Sequence, residues 1–390
     1  MQVFTLFSSV FFRGDEEGVV FYNTDSFVFE TFKVTPATKE MCRILGDMDN
    51  LYSLPVDEEN INYCKRLSDR GFGRIHEEEE LVASFPPTLV IRKDWEQIKL
   101  TKGQAKAETL QYLSEITLFI GGQPSQKDLF FLQTEYPYPG DAQMDYSELC
   151  AFLDKVSRIP ELRIKFVFPY IKDYPNIIKI INRIGALNNQ KRIFVKDQDY
   201  YGIREAKSIL QSVESHVVVL NDSRHLLSGE ISNAVGNRFL IFEKTGVSAS
   251  EECVNKRGIS NFSFIPIFDG TNELFIKEAT FPTEQEILGG SYTKRHVFSH
   301  QVINSFYFGH LFITPDGRVY SDLRERAIGT MQDDLHTLII TELDNNFSWR
   351  RTRSDRTECR HCRYLDLCPS IGPLEKTIGT HCLKIGRAHV

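Results

Sequence analysis

Four of the chain's eight cysteines fall close together near its end: Cys359, Cys362, Cys368 and Cys382, spaced C-x2-C-x5-C-x13-C. A C-x2-C knuckle lets one turn aim two thiolates at the same metal. Four thiolates suit a [4Fe–4S] cluster or a structural zinc. The x5 gap and the Cys368-Pro369 pair favour iron–sulfur over the paired x2 knuckles of a zinc ribbon. Zinc is the alternative, and thiols without metal a third reading. Arg360, His361 and Arg363 add positive charge, which lowers thiol pKa values and offsets an anionic cluster. His361 and His381 are second-line ligands for a zinc site only. Cys42, Cys64, Cys150 and Cys253 stand singly and read as small core residues.

No other constellation is as specific. The ten histidines are dispersed with no motif around them, so no Ser/His/Asp set can be assigned. His216, just before a strand-like run, reads as a solvated or capping residue rather than a base. Gly121-Gly122 reads as a strand-end turn.

The cysteines need elements to hold them. A chain of 390 residues corresponds to two or three domains. With 41% apolar and 25% charged residues it is globular, not disordered or collagen-like. The net charge of −7 gives no reason to expect nucleic acid. No run of 18 apolar residues exists, so no membrane-spanning helix and no membrane partner are expected. Met1–Phe12 lacks a basic n-region and runs into Arg13-Gly14-Asp15-Glu16-Glu17, so it reads as a β-strand rather than a signal peptide. A cytoplasmic location with reduced thiols is the resulting expectation.

Three parts follow along the chain. In residues 1–87, Val19–Thr24 and Phe27–Phe32 flank Asp25-Ser26 as a hairpin. Helices are expected from Thr35-Pro36 through Leu45 and from Glu58 to Arg70, the second closed by Gly71. Glu77–Glu80 is an acidic run, and Ser84-Phe85-Pro86-Pro87 reads as a linker. Residues 88–304 alternate strands and helices. The expected strands are Ile116–Ile120, Ile164–Phe168, Arg192–Val195, Val217–Leu220, Phe239–Phe242 and Phe262–Ile267. Helical patterns lie at Tyr146–Arg158, Asn176–Ile184, Ile203–Val213, Gly229–Val235 and Glu251–Arg257. Six β/α alternations predict an α/β class with a parallel sheet, either open or a partial (β/α) barrel. Residues 305–383 begin with a strand, a Pro315-Asp316-Gly317 turn and a strand over Leu311–Tyr320, then a helix around Asp333–Leu343, then Phe347-Ser348-Trp349 and the cysteines.

Phe312–Tyr320, Ile328-Gly329-Thr330 and the cysteine motif together resemble a SPASM domain, the auxiliary iron–sulfur domain at the C-terminus of radical-SAM peptide maturases. The family pattern is an upstream Cys, then G-x4-C, then C-x2-C-x5-C-x3-C, then a last Cys, and it houses two clusters. The resemblance carries one ligand set onto Cys359, Cys362, Cys368 and Cys382. The other set is missing: the G-x4-C position after Gly317 is Asp322, the x3-C position after Cys368 is Gly372, and no Cys lies between Cys253 and Cys359. Radical-SAM enzymes also carry C-x3-C-x2-C after the first barrel strand, where three thiolates leave one iron open for S-adenosylmethionine. Here that segment is Ile116–Pro124, without a cysteine, and the triplet occurs nowhere in the chain.

The whole is similar to the pseudo-radical-SAM/SPASM proteins that accompany double-glycine-leader peptide maturation systems, the GG-Bacteroidales type. The likeness extends over most of the chain and is motif-specific in its last 75 residues. It implies a partial radical-SAM-like barrel, a C-terminal SPASM-like domain with one [4Fe–4S] cluster, and no S-adenosylmethionine. It also implies a non-catalytic role beside an active radical-SAM maturase. The N-terminal hairpin and helices resemble the PqqD-like leader-recognition fold, a winged-helix module, with a small packed cap as the alternative; the resemblance implies a precursor peptide with a double-glycine leader as partner. Such modules bind by adding a strand to a sheet edge, and Phe27–Phe32 is the β-prone candidate. Two other functions stay open: an iron–sulfur enzyme or electron-transfer partner in peptide modification, and a zinc-stapled structural protein. The last residues, Lys384–Val390 (KIGRAHV), are expected to be adapter-derived, because codons for this peptide closely match a widely used sequencing adapter. The natural C-terminus is then expected to be truncated near Leu383.

Overall fold

The structure is a computed structural model, and it describes residues 1–78, 109–123, 129–171, 174–226 and 231–379. The linker at 84–87, the end of the acidic run, Cys382 and the tail at 384–390 lie outside the described residues.

The N-terminal module contains β1 (Gln2–Leu6), β2 (Val10–Gly14), β3 (Gly18–Asn23), β4 (Val28–Lys33), α1 (Pro36–Gly46), β5 (Ser53–Pro55), α2 (Ile61–Asp69) and β6 (Gly73–Glu77). The opening segment is two strands rather than one. They belong to two antiparallel sheets, β5-β1-β6 and β2-β3-β4. The expected hairpin is β3–β4, and both expected helices form. The Thr35 hydroxyl accepts from the Thr38 amide at 3.1 Å and the Thr38 hydroxyl accepts from the Thr35 amide at 2.8 Å, with Pro36 in the first turn of α1. Gly71, at φ +77°, follows α2 in the left-handed region that glycine enters without strain. Phe4, Phe21, Leu45, Leu67 and Phe72 form the core of the module, together with Cys64.

The central sheet has nine strands: β7 (Glu115–Phe119), β10 (Arg163–Val167), β11 (Gln190–Lys196), β12 (Val217–Asp222), β13 (Gly236–Ile241), β14 (Phe262–Pro266), β15 (His310–Ile313), β16 (Arg318–Tyr320) and β17 (Gly329–Thr330). Between β7 and β10, β8 (Gly122–Gln123) and β9 (Tyr138–Pro139) pair with each other. The spatial order is β14-β13-β12-β11-β10-β7-β15-β16-β17. The six expected strands and β15 are parallel neighbours, while β16 and β17 add on antiparallel. The sheet is open, ending at β14 and β17. The boundary expected at residue 305 coincides with no break in it, because β15 pairs directly with β7.

The intervening helices are α3 (Tyr146–Val156), α4 (Ile177–Gly185), α5 (Asp197–Gly202), α6 (Arg204–Leu210) and α7 (Lys244–Arg257). The helix expected over Gly229–Val235 is absent from its described part, residues 231–235. There the Ser232 hydroxyl accepts from the Ala234 amide at 3.1 Å and the Asn237 side chain donates to the Ser232 carbonyl at 2.9 Å. Such local side-chain bonds offer the backbone an alternative to helix. Three helices the sequence left unassigned, α8 (Glu273–Thr280), α9 (Glu284–Leu288) and α10 (Lys294–Val302), lead to β15. After β17 come α11 (Leu335–Asn345), α12 (Thr357–Arg360) and α13 (Pro373–Ile378).

Alternation along each strand gives the sheet two faces. Ile116, Leu118, Ile164, Phe166, Ile193 and Val195 join one core with Phe152, Leu153, Ile180 and Ile181 of α3 and α4. Phe119, Val167, Phe194, Leu220, Leu240 and Phe242 face the other way, against Phe130, Phe131, Tyr136 and Tyr138. We call this second side the inner face.

Phe166→Ala should lower unfolding free energy by about 3–5 kcal/mol, through lost burial and the cavity left behind. Ile178→Ala, at a position 63% exposed, should change it by less than about 0.5 kcal/mol. Urea denaturation followed by circular dichroism reads both. Equal effects would contradict the assignment of the helix-covered face.

Candidate metal centre

Three of the four expected ligands lie on one tightly wound loop. A 3₁₀ turn over Arg353–Asp355 leads into α12, which carries Cys359. The Cys362 amide donates to the Cys359 carbonyl at 3.0 Å, the Leu365 amide to the Cys362 carbonyl at 3.1 Å, and the Cys368 amide to the Tyr364 carbonyl at 2.8 Å. These turns place Cys359, Cys362 and Cys368 on one short loop. Cys359 and Cys368 are buried and Cys362 is half-buried. The Tyr364 amide points at the Cys362 sulfur at 3.5 Å.

A buried cation sits beside them. Arg353 is 5% exposed. Its guanidinium meets the Glu375 carboxylate through two bonds of 2.9 and 2.8 Å. Nη1 also lies 3.9 Å from the Cys359 sulfur, and Nε donates to the Pro369 carbonyl. Sequence reading proposed Arg360, His361 and Arg363 as the local positive charges and missed this one. It lies outside the cysteine motif, and the carboxylate that neutralises it is 22 residues away.

Burial pushes the Cys368 thiol up to about 12, with Arg353 opposing and Glu375, Cys359 and Cys362 adding to the rise. The Cys359 thiol is also raised, again chiefly by burial, with Arg353 pulling it down. The three thiols therefore feel one another's charge. Soft, buried sulfurs beside a cation suit a sulfur-bound metal or an anionic cluster in donor chemistry. Among the described residues, however, no three His, Cys, Asp or Glu side chains converge closely enough to hold a metal ion. Cys382 and His381 lie outside those residues.

The resemblance would place two ligands of a second set at Asp322 and Gly372. Asp322 is buried and paired with Lys376 at 2.6 Å and Arg324 at 3.6 Å. A side chain at Gly372 would put its Cβ 3.3 Å from the Phe306 ring. The end of β7 is equally crowded. A Cβ at Gly121 would fall 2.9 Å from the Tyr174 ring, and one at Gly122 would fall 2.5 Å from the Gly140 carbonyl oxygen. Gly121 bridges to Gln143 and Gly122 opens β8, so the pair is a close-packed link between two strands rather than a simple strand-end turn.

The N-terminal module is built onto the cysteine loop. Phe11, Val20 and Tyr22 on one face of the β2-β3-β4 sheet pack with Tyr364, Leu367 and Cys368. Arg363, inside the motif, reaches Asp15 at 2.9 Å and Glu17 at 3.1 Å. Arg13 reaches Asp366 at 3.4 Å and donates to the Arg360 carbonyl at 2.8 Å. The Tyr22 hydroxyl donates to the Gly290 carbonyl at 2.6 Å and accepts from the Tyr292 amide at 2.8 Å. Burial opposes ionisation of Asp15, but the amides of Glu17, Gly18 and Arg363, with the Arg363 charge, lower its carboxyl to about 2.

No protein-family model matches the chain, and no curated protein matches it. Solved structures resemble it at low identity. A crystal structure of Streptococcus suis SuiB bound to precursor peptide SuiA is 11% identical over 96% of this chain and 98% of that one, with a TM-score of 0.47. Native anSMEcpe with bound AdoMet and Cp18Cys peptide is 12% identical over 68% of this chain and 95% of that one, at 0.42. BtrN in complex with AdoMet and 2-DOIA is 8% identical over 66% and 94%, at 0.37. All three scores are below 0.5, and the functional reading rests on this chain's own residues.

Arg353→Met should cost about 3–5 kcal/mol of stability, because it leaves the Glu375 carboxylate buried without its partner. The double variant Arg353→Met/Glu375→Leu should recover part of that loss in denaturant titrations. A double variant less stable than the single one would contradict the pairing. Acid should release the N-terminal module. The folded Asp15 carboxyl titrates at about 2, below its ordinary value of 3.8, so its stabilising effect is complete above that ordinary value and fades as pH falls toward 2. Limited proteolysis with an acid protease should show residues 1–78 cut faster in Asp15→Asn than in the parent at pH 5, with the difference closing near pH 2.

Proposed function

We propose that the protein is a non-catalytic pseudo-radical-SAM/SPASM protein of the double-glycine-leader (GG-Bacteroidales) type, assisting maturation of a ribosomally made peptide. In this reading it holds one auxiliary [4Fe–4S] cluster through Cys359, Cys362, Cys368 and Cys382. It binds the precursor peptide or the active radical-SAM maturase that modifies it. The observation that carries the reading is the end of β7. Where an S-adenosylmethionine cluster would need three thiolates, the chain has Ile120-Gly121-Gly122-Gln123, and neither glycine has room for a side chain. The inner face beside it is filled by Phe119, Phe130, Phe131 and Tyr138.

A cluster at this loop would supply an electron-storing or cross-linking centre. The residues around it do the rest. Arg353 offsets negative charge, and its pair with Glu375 fixes its position. Tyr364 and Leu367 exclude water and attach the loop to β3. The ion-paired carboxylate of Asp322 and the absence of a thiol at Gly372 support one cluster rather than two. The peptide-binding part of the proposal is an edge-strand addition at β4, which pairs with β3 and with no other described strand. Phe27 at its start is 41% exposed, a side chain suited to contact a bound peptide.

Anaerobic reconstitution tests this reading. We expect about four irons and four sulfides per chain, with visible absorbance near 400 nm. The reduced protein should form no 5′-deoxyadenosine from S-adenosylmethionine. Cys362→Ala should lose most of the bound iron, and Cys150→Ala should retain it. About eight irons, 5′-deoxyadenosine formation, or a colourless protein holding one zinc would each overturn a separate part of the proposal: the cluster count, the non-catalytic role and the identity of the metal.

A further inference from the structure

Lysines are almost never buried unless an opposite charge pairs with them. Lys196, the last residue of β11, is 8% exposed. Its Nζ has no hydrogen bond and no ion pair among the described residues, and it lies over the Tyr170 ring, 5.7 Å from the centroid. The buried polar atoms that lack a partner do not include this Nζ, so the amine keeps access to solvent while its stem is enclosed. Other enclosed lysines are engaged. Lys165 meets Glu115 and Glu135, and Lys376 meets Asp322, each at 2.6 Å. Lys191 donates to the carbonyls of Gly185 and Leu187.

The position of Lys196 is as specific as its surroundings. β11 lies between β10 and β12 in the parallel part of the sheet, and Lys196 is in register with Leu220. Ile193 and Val195 belong to the helix-covered core and Phe194 to the inner face, so alternation puts Lys196 on the inner face. It stands at the carboxyl ends of the strands, where open parallel sheets place ligands. Tyr170 follows β10 at the same end and is 39% exposed. The side-chain amide of the buried Gln123, in β8, donates to its hydroxyl. An exposed ring is thus tethered beside an enclosed amine.

Electrostatics point the same way. Burial pulls the Lys196 amine below the ordinary lysine pKa, with the carboxylates of Asp199 and Asp197 opposing. The Asp197 carboxylate is directed at the backbone, accepting from the amides of Gln198 at 2.7 Å and Asp222 at 3.4 Å. A protonated amine has no lone pair to share, whereas a neutral one is a nucleophile. Enclosed lysines with a lowered pKa are the ones that form Schiff bases with carbonyl compounds.

We propose that Lys196 captures a small aldehyde or ketone as a reversible imine at the carboxyl ends of the strands. The Nζ lone pair forms a bond to the carbonyl carbon. The two protons of the neutral amine leave with the carbonyl oxygen as water, and a C=N bond replaces C=O. The step consumes no oxidant or reductant. The Tyr170 ring beside Nζ favours a carbonyl compound with a flat, aromatic body. The inference uses neither the cysteine loop nor β4, so it stands or falls apart from the proposed function.

Reductive trapping on the full chain tests it, with benzaldehyde as the probe, cyanoborohydride as the trap and peptide mapping by mass spectrometry as the readout. At limiting aldehyde and neutral pH, the benzyl label should accumulate on Lys196 about ten times faster than on the exposed Lys244. Lys191, whose pKa burial also lowers but whose amine is hydrogen-bonded, should label more slowly than Lys196. Lys196→Arg keeps a cation and cannot form an imine. It should abolish the fast phase of labelling and leave Lys191 and Lys244 at their parental rates. If that variant does not fold, Lys196→Met takes its place, since removal of an unpaired enclosed amine should leave the thermal midpoint level or higher. Labelling of Lys196 no faster than of Lys244, or a fast phase that persists without Lys196, would overturn the proposal.

Discussion

Strand β3 is buried along its whole length, on both faces, and the organisation of both ends of the chain depends on it. Val19 and Phe21 belong to the core of the N-terminal module, while Val20 and Tyr22 belong to the core that contains Cys368. Period-2 alternation therefore sends one set of side chains into each core. Apolar packing supplies most of the attachment, because such burial is worth about 25 cal/mol per Å². The Arg363–Glu17 pair, whose carboxylate is exposed, adds little to this, whereas the Arg363–Asp15 pair is largely buried. The loop that carries the thiols is thus packed against the module some 350 residues earlier as well as against Ile287, Leu288 and Val297.

That packing constrains function. A peptide paired to β4 would extend a three-stranded sheet whose far side touches Tyr364 and Leu367. Glu30, in the middle of β4, is buried and anchored by Arg66 at 2.6 Å and by Arg70. The edge is therefore held rigid from behind by α2, which favours strand addition over rearrangement. The inner face of the large sheet is a different environment. Its C-terminal half is filled by aromatic side chains, and its open space lies beside the Lys165–Glu135–Arg238 network. Two surfaces with different chemistry, one backbone-directed and one formed by side chains, coexist on one chain without sharing residues.

How much of this was legible in the sequence follows from the physics of each element. The six central strands were readable because parallel strands buried on both faces appear as near-continuous apolar runs. Thr314-Pro315-Asp316-Gly317 was readable because its turn needs Gly317 at φ +79°. The cysteine motif was readable because thiolate spacing is a local property. Helices α8 to α10 were not seen: α10 buries only Val297, so its apolar period is faint. The split of the opening segment into β1 and β2 was hidden, because Phe4, Leu6, Val10 and Phe11 are apolar either way. Membership of β15 in the central sheet was hidden too, since a short apolar strand carries no mark of its partner. The Arg353–Glu375 pair, the Asp15–Arg363 pair and the Tyr170–Lys196 contact are tertiary facts. Each joins residues whose sequence neighbours give no sign of the contact.

Asp322 shows how a deeply buried carboxylate is accommodated. An isolated carboxylate at 1% exposure would be strongly destabilising. Lys376 and Arg324 remove that penalty, and Arg324 also donates to the carbonyls of Leu132 and Pro373 at 2.9 Å each. The same guanidinium thereby connects the segment over the inner face to α13, the helix that carries Glu375. Glu375 in turn holds Arg353 against Cys359. Two buried ion pairs, Asp322–Lys376 and Arg353–Glu375, therefore meet on α13, one on each of two successive residues. Removing one member of either pair exposes its partner to the cost of burial.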